Sequence, residues 1–314
     1  MKKIYVAGHQ GLVGSALVRH ASQTQKYEIV SKTHSELDLT DREAVLEFFQ
    51  SERPEWVFLA AAKVGGIHGN STYPVDFLLT NLKIQNNVIE SAYLTNTKQL
   101  LFLGSSCIYP KDCKQPIREE YLLSDYLEVT NKSYALAKIS GIELCSAYNR
   151  QYGTSYFSVM PCNLYGINDN YDPVNGHALP MLLRRFHEAK ENDLPEVLVW
   201  GTGKPYREYL FADDLADACY FLMENQQSLK VPDLINVGTG EDMKISDLVE
   251  KIKIVTGFQG EIVFDPGKPD GTYRKVLDVA KINKLGWKSS ISLDNGLLQT
   301  YEDFTKMRCR MMTQ

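Results

Sequence analysis

Short apolar runs alternate with longer amphipathic segments over the first 160 residues of the chain. The runs have the length and the β-branched or aromatic content of buried strands, and they occupy residues 4–7, 28–31, 56–62, 101–103 and 155–160. The segments between them carry apolar residues at helical spacing and are long enough to connect parallel strands. This alternation predicts an α/β fold with a doubly wound parallel sheet.

A glycine-rich turn joins the first predicted strand to the first predicted helix. Gly8, Gly11 and Gly14 have the spacing GxxGxxG, a variant of the dinucleotide-binding fingerprint. Glycines permit the tight turn and the close approach of the backbone to a pyrophosphate, and the helix N-terminus supplies N–H groups to the phosphates. We therefore predict a Rossmann-type domain with a cofactor-binding loop of Gly8, Gln10, Gly11, Leu12, Val13 and Gly14.

The end of the second predicted strand indicates which dinucleotide binds. A site for NAD usually has Asp or Glu about twenty residues after the glycines, whereas this chain has Lys32 and His34 in that region. A cation favours a 2′-phosphate, so the sequence favours NADP(H). Asp38 and Leu39 follow as candidate contacts to the adenine edge, and the alternative for Asp38 is a helix cap.

The pattern changes after residue 167, where a polar stretch with Pro and Gly predicts a long loop over residues 168–177. An amphipathic helix with two adjacent arginines follows, and shorter strands and helices alternate from there onward. No repeat or low-complexity linker separates the two parts, so we expect them to pack closely. We predict a cofactor-binding domain of residues 1–162 plus about 208–238, and a smaller α/β substrate-binding domain of about 163–207 and 239–314.

Composition and charge argue against several classes of protein. The chain has 314 residues and a net charge of −5, and its Lys and Arg residues are scattered, which is not typical of a protein that binds nucleic acid or a membrane surface. No apolar run reaches the ~18 residues of a membrane span, and the one near the N-terminus is too short for a secretory signal. The six cysteines show no CxxC pair and no metal-ligand spacing, which predicts reduced thiols in a cytoplasmic protein without a metal site.

One segment carries the strongest candidate chemistry. The fourth predicted strand ends in Ser105 and Cys107, at the edge of a parallel sheet where ligands bind. In an extended backbone these two side chains point to one face and Ser106 to the other. Tyr134 and Lys138 have the i, i+4 spacing that places two side chains on one helix face. Because an ammonium favours phenolate, we expect a lowered pKa for the tyrosine and a role in proton donation.

Eight short motifs extend over nearly the whole chain. They are AGHQGLVGS (7–15), LAAAKVGGI (59–67), LGSSCIYP (103–110), YALAK (134–138), YNRQYG (148–153), NLYG (163–166), LLRRFHEA (182–189) and KPDGTYRK (268–275). In these motifs and their order the chain resembles the extended short-chain dehydrogenase/reductase family, and within it the enzymes that epimerise and reduce GDP-linked 4-keto sugars. Cys107 two residues after Ser105, together with His177 before the LLRRF helix, is the most selective part of the match.

The resemblance implies catalytic roles for five residues. Tyr134 would protonate the C4 carbonyl oxygen of the sugar, with Ser105 as the second hydrogen-bond donor. Lys138 would tune the tyrosine and hold the nicotinamide ribose, while NADPH reduces C4. The 4-ketone acidifies the hydrogens on C3 and C5, so Cys107 as base and His177 as acid would invert both centres. The alternatives are a small buried cysteine at a strand end and an ordinary loop histidine.

The resemblance also implies binding residues. For the cofactor these are, besides the glycine turn, Lys32, His34, Asp38, Leu39, Ala61, Ala62, Lys138, Pro161, Asn163, Leu164 and His177. For the GDP-linked 4-keto sugar they are Asn163, Arg185, Trp200, Arg207 and Asp270. Trp200 is equally well explained as a core aromatic, and Arg184 is expected on a solvated helix face.

Three questions stay open at this point. Members of the group carry arginine at the positions of Gln10 and His34, so a weaker preference for NADPH over NADH is an alternative. A C4 reductase of a GDP-linked heptose is the alternative substrate assignment, and a non-catalytic NADP-binding protein is a third hypothesis. Members of the group usually dimerise through two helices, one near residues 81–94 and one carrying Tyr134, so the resemblance also implies a homodimer.

Overall fold

The computed structural model describes residues 1–173, 176–268 and 270–312. The strands are β1 (Lys2–Ala7), β2 (Tyr27–Val30), β3 (Trp56–Leu59), β4 (Gln99–Leu103), β5 (Tyr156–Pro161), β6 (Asn163–Tyr165), β7 (Glu196–Trp200), β8 (Tyr206–Arg207), β9 (Tyr209–Phe211), β10 (Leu234–Val237), β11 (Met243–Lys244), β12 (Glu261–Asp265) and β13 (Arg274–Lys275). The helices are α1 (Leu12–Thr24), α2 (Arg42–Glu52), α3 (Ile67–Thr72), α4 (Pro74–Leu94), α5 (Lys132–Tyr152), α6 (Ala178–Glu191), α7 (Ala212–Leu229), α8 (Ile245–Thr256), α9 (Ala280–Leu285) and α10 (Leu293–Met312). Val174 and Asn175 of the predicted long loop and Pro269 of the KPDGTYRK motif lie outside the described residues.

Six parallel strands form the central sheet, in the order β10-β5-β4-β3-β1-β2. The chain passes from β1 to β2 on one side and then returns to β3 on the other side of β1. Open α/β sheets bind ligands at such a reversal, beyond the carboxyl ends of the strands. The predicted α/β fold with a Rossmann-type parallel sheet is confirmed.

The strands of this sheet are mostly apolar because helices cover both of its faces. α1 packs against α7, and α4 packs against α5. Right-handed crossovers that leave β1 in opposite directions place these two helix pairs on opposite faces. Residues 4–7 of β1 are at most 1% exposed. Strands buried on both faces lose the alternation of apolar and polar positions, which explains the continuous apolar runs in the sequence.

A second hydrophobic cluster, built from residues between Tyr165 and Phe304, lies in the other part of the chain. β7 and β12 pair in parallel there, and α8 packs against both α6 and α10. The short strand β8 pairs with β11 on one side and with β13 on the other. No helix among the described residues has both the length and the apolar character needed to cross a membrane.

Residues 277–287 pack with the central sheet. Leu277 and Trp287 belong to the same hydrophobic cluster as β1, although the sequence analysis placed 239–314 in the substrate-binding domain. A β-bridge between Ile117 and Leu277 draws this segment against the first cluster, and α9 packs on β10. The remaining domain boundaries stay a prediction.

Candidate active site

Four neighbouring strands bring predicted site residues to one edge of the sheet. β1 leads into Gly8, β3 into Ala61, β4 into Ser105 and β5 into Asn163. Parallel strands end at the same edge, so residues that are far apart in sequence come together at the floor of one cleft.

The glycine turn has the geometry of an anion-binding loop. Gly8 has a φ of +84°, and its carbonyl accepts a hydrogen bond of 3.0 Å from the Gly11 N–H. A Cβ on Gly14 would lie 2.0 Å from the Gly8 oxygen, so α1 can approach the turn only with glycine at that position. The first turn of α1, which begins with Leu12 and Val13, carries no acidic side chain. These features fit the diphosphate of a dinucleotide.

A residue that the sequence analysis did not identify braces this turn. The Asn168 side-chain amide donates to the Gln10 carbonyl at 2.6 Å, and the Asn168 N–H donates to the Asp303 carboxylate at 2.8 Å. Asn168 has a φ of +67°, which asparagine tolerates better than most residues. It therefore links the glycine turn to α10 and to the loop that leads to α6.

The residues at the end of β2 are exposed. Lys32 and His34 both face solvent, and His34 Nδ1 lies 3.9 Å from the Asp38 carboxylate. Asp38 accepts hydrogen bonds from the Thr40 N–H and hydroxyl, each at 2.9 Å, and these bonds hold its pKa below the usual range. The helix-cap alternative for Asp38 is wrong, because Asp41 caps α2.

The other predicted cofactor contacts lie in the segments after β2 and β3, at the end of β5 and in β6. They are buried or half-buried, namely Leu39, Ala61, Ala62, Pro161, Asn163 and Leu164. A Cβ on Gly8 would lie 2.7 Å from the Ala61 nitrogen, so the backbone after β3 packs directly against the glycine turn. The Asn163 amide donates to the Glu208 carbonyl at 2.7 Å, so it joins β6 to the segment before β9.

Ser105 and Cys107 lie on a tight turn beyond β4. The Ser105 hydroxyl accepts a hydrogen bond of 3.3 Å from the Cys107 N–H. Residues 106–108 form a 3-10 turn, so the predicted alternation of side chains in an extended strand is wrong there. The turn nevertheless packs against α5, the helix that carries Tyr134.

Burial controls the charge of the two candidate residues on α5. Lys138 is 3% exposed, its Nζ donates to the Leu103 carbonyl at 2.7 Å, and burial lowers its pKa to about 7. Burial raises the pKa of Tyr134, the charge of Cys107 adds to this, and the hydrogen bond from Ser105 opposes it. The predicted lowering of the tyrosine pKa is wrong, because Lys138 Nζ is directed at Leu103 and lies 5.9 Å from the centre of the tyrosine ring.

His177 is the residue at which α6 begins. Its backbone is extended, and its carbonyl accepts the Met181 N–H at 3.1 Å. The side chain is exposed, yet the protein atoms around it remove enough water to lower its pKa. Within the described residues, no hydrogen bond joins His177 to Cys107 or Tyr134, so their pairing stays a prediction.

Trp200 and two cations form an exposed surface at the end of β7. Trp200 is 57% exposed, which excludes the core-aromatic alternative. The Arg185 guanidinium and the Lys268 ammonium lie 5.8 and 5.5 Å from the ring centroid. Burial lowers the pKa of Arg185, so a bound anion would compensate for the lost hydration of this cation. An aromatic face beside two cations suits a nucleobase and its phosphates.

Arg207 and Asp270 form an adjoining polar group. The Thr202 N–H and hydroxyl donate to the Asp270 carboxylate at 2.6 and 2.7 Å, and Arg207 Nη2 lies 3.5 Å from the Asp270 carbonyl oxygen. Burial lowers the pKa of Arg207 as well. Arg184, in contrast, pairs with Glu188 of its own helix at 2.7 Å.

A cation beside Cys107 had no role in the sequence analysis. Lys275 Nζ lies 3.8 Å from Cys107 Sγ, across 168 positions of sequence. Its membership of the KPDGTYRK motif was the only signal in the sequence that pointed to it.

The chain is similar to known proteins over most of its length. Residues 4–238 match the model of the NAD dependent epimerase/dehydratase family. The chain is 55% identical over 307 residues to GDP-L-fucose synthase 1 of Arabidopsis thaliana, covering 98% of this chain and 94% of that protein. It is 50% identical over 315 residues to GDP-L-fucose synthase of Escherichia coli (strain K12), covering 98% of both. The solved GDP-mannoheptose C4 reductase from Campylobacter jejuni with NADP bound is 40% identical, with a TM-score of 0.89 over 97% of this chain and 98% of that one.

Proposed function

This chain belongs to the NAD dependent epimerase/dehydratase family, and we propose that it converts GDP-4-keto-6-deoxy-D-mannose to GDP-L-fucose. The reaction inverts C3 and C5 of the sugar and then reduces C4. The observation that supports the proposal is the packing of α5, which carries Tyr134, against the turn of residues 106–108 beyond β4, which carries Cys107 and follows Ser105. Among the side chains at this turn and on α5, reduction by the cofactor needs the serine and the tyrosine as donors to the carbonyl oxygen. Epimerisation also needs a base, which the thiol near them supplies. The 50–55% identity to GDP-L-fucose synthases supports the choice of sugar.

Ser105 and Tyr134 polarise the ketone. Two hydrogen-bond donors on one carbonyl oxygen stabilise the negative charge that develops there in both reactions. The raised pKa of Tyr134 keeps its phenol protonated at neutral pH, so the tyrosine holds the proton that the C4 oxygen takes up.

Cys107 and His177 act from opposite faces of the sugar ring in each inversion. Cys107 removes a proton from C3 or C5, and His177 returns one from the opposite face while Ser105 and Tyr134 hold the enolate oxygen. The lowered pKa of His177 makes its protonated form the readier donor.

NADP(H) is the cofactor, and the residues present fit it. The glycine turn and the N-terminus of α1 would bind its diphosphate. The exposed Lys32 ammonium and His34 imidazole lie beyond β2, where they would bind a 2′-phosphate, and Lys138 would hold the nicotinamide ribose. When bound, the cofactor supplies the hydride for C4. The NADP-bound relative at 40% identity supports this assignment.

The GDP group would bind in the second domain, about residues 163–207 and 239–314 without the segment 277–287 that packs with the central sheet. Trp200 would stack on the base, and Arg185 and Arg207 would bind the diphosphate. Thr202 orients Asp270 at the edge of this surface. There the carboxylate would accept a hydrogen bond from a hydroxyl group or from an N–H of the base of the substrate.

Two apolar surfaces support a homodimer through α4 and α5. An open apolar groove of about 510 Å³ runs along α5 and includes Ile139, Ile142 and Leu144, and Leu79 of α4 is 49% exposed. Light scattering should give twice the chain mass of 35.6 kDa, and Leu79→Glu should shift the mass towards that of one chain. A single-chain mass for the wild type would contradict the dimer. We also propose a cytoplasmic location, which is supported by the lack of a disulfide bond among the described cysteines.

Isotope incorporation in D₂O tests the proposed reaction. With NADPH and GDP-4-keto-6-deoxy-D-mannose, the product should be GDP-L-fucose with deuterium at C3 and C5. Cys107→Ser should lose this label and keep part of the C4 reduction, and a sample without enzyme corrects for spontaneous exchange. Label that survives both Cys107→Ser and His177→Ala would contradict the acid/base assignment. Faster turnover of a GDP-linked heptose 4-ketone would favour the heptose C4 reductase instead.

A further inference from the structure

Lys275 is directed at Cys107 and has no competing acidic partner. Its Nζ lies 3.8 Å from the cysteine sulfur, and among the described residues no carboxylate lies within ion-pair distance of it. Two other cations near this turn are neutralised, because Arg274 pairs with Asp242 and Lys111 pairs with Glu128. Of these three cations, Lys275 is the one directed at the sulfur.

The backbone around Lys275 is fixed by four contacts. Lys275 lies on β13, in register with Arg207 on the parallel strand β8. The next residue, Val276, donates to Gln115 Oε1 at 3.0 Å and accepts the Ile117 N–H at 2.8 Å. The Leu277 N–H then donates to the Glu208 carboxylate at 2.8 Å. These bonds tie the strand that carries Lys275 to residues 115–117, which follow the turn of Cys107 in the chain, and to residues 207–208.

If one thiol serves as the base in both inversions, it must be deprotonated again after the first inversion. Each inversion moves one proton from carbon to the Cys107 sulfur and one proton from His177 to carbon. Before the second inversion the sulfur must lose its proton to water and His177 must gain one, so the net charge of the pair is unchanged. A cavity of about 60 Å³ borders both Cys107 and Lys275, and its volume is sufficient for water that takes up this proton.

We propose that Lys275 is a positioning residue that holds Cys107 as the thiolate and restores this form between the two inversions. The inference rests on the proposed function, since it deepens the role of the same base. An ammonium beside a sulfur favours the negatively charged form, which is the form that removes protons and reacts with alkylating agents.

Alkylation of Cys107 tests the contact without any sugar or cofactor. The wild type, Lys275→Met and Lys275→Arg are treated with iodoacetamide at pH 7, and modification of the Cys107 peptide is followed by mass spectrometry. The exposed Cys309 serves as the internal reference. We expect Cys107 to react at least about tenfold more slowly in Lys275→Met and within about threefold of the wild type in Lys275→Arg, which keeps the charge. An unchanged rate in Lys275→Met, or equal slowing in both variants, would overturn the proposal.

Single-turnover labelling in D₂O then tests the reset. Lys275→Met should lower the ratio of doubly to singly deuterated sugar by at least threefold, because the second inversion waits for the thiolate. A structural defect would slow both inversions alike and leave this ratio unchanged, which would contradict the proposed reset. If the wild type itself incorporates no deuterium, the proposed function fails, while the alkylation result still decides whether Lys275 acts on Cys107.

Discussion

Replacing Lys138 by methionine tests how a buried ammonium shapes the pH dependence of folding. Lys138 is 3% exposed, and its pKa falls from 10.5 to about 7 in the folded chain. Because the folded pKa is the lower one, the folded chain binds this proton less tightly than the unfolded chain does. The wild type therefore gains stability as the pH rises from about 7 towards 10.5, and the cost of burial is fully present below pH 7.

The two pKa values set the size of the effect. The slope reaches about 1.4 kcal/mol per pH unit where the unfolded chain holds the proton and the folded chain does not. Between pH 7.5 and 9.5 this adds about 2.5 kcal/mol to the free energy of unfolding of the wild type. Methionine keeps the length of the side chain and removes the proton site. The loss of the hydrogen bond to Leu103 changes stability by an amount that does not depend on pH.

Urea unfolding at pH 7.5, 8.5 and 9.5 measures the effect on the cofactor-free protein. The difference in unfolding free energy between the wild type and Lys138→Met should grow by about 2.5 kcal/mol over this range. Lys288→Met, at an exposed lysine, is the control and should follow the wild type. A difference that stays constant within about 0.5 kcal/mol would refute the lowered pKa of Lys138.

Three further substitutions separate the parts of the site. Ser105→Ala should lower kcat for C4 reduction by about 10²–10³, measured as NADPH oxidation, because one carbonyl donor is lost; an unchanged kcat would contradict that role. Gly14→Ala should weaken NADPH binding at least about tenfold in a fluorescence titration, since its Cβ would lie 2.0 Å from the Gly8 oxygen; unchanged affinity would show that the turn does not bind the diphosphate. Arg207→Met should raise KM for the GDP-sugar about tenfold with little change in kcat, and a loss confined to kcat would contradict a binding role.

The sheet was predictable from the sequence because the apolar pattern of each strand lies within a few consecutive residues. Helices cover both faces of the parallel strands, so each strand appears as an uninterrupted apolar run. The run at 56–62 shows the limit of this argument, because β3 ends at Leu59. Ala60 and Ala61 instead pack against Gly8, a contact between separate segments that the apolar pattern does not contain.

The site was predictable where two residues share a helix or follow a strand. The i, i+4 spacing placed Tyr134 and Lys138 on one helix, and the strand end placed Ser105 beside them. Asn168 and Lys275 were not predicted, because their roles depend on contacts across more than 150 positions of sequence. Asn168 belongs to no local pattern that distinguishes it from a polar loop residue, and the KPDGTYRK motif that contains Lys275 does not indicate that its side chain reaches Cys107.

The structure differs most from the mechanism expected from the sequence in the charge state of Tyr134. The sequence alone predicted a proton-donating tyrosine whose pKa is lowered by Lys138, whereas the folded chain half-buries Tyr134, buries Lys138 and directs the lysine at the Leu103 carbonyl. A neutral phenol suits the task better, because a hydrogen-bond donor must stabilise the enolate during epimerisation and then give up its proton once, at the reduction step. In the mechanism that we propose, the raised pKa keeps the proton on Tyr134 while Cys107 and His177 exchange theirs. The environment of Tyr134 would then separate the proton used in reduction from the protons used in epimerisation.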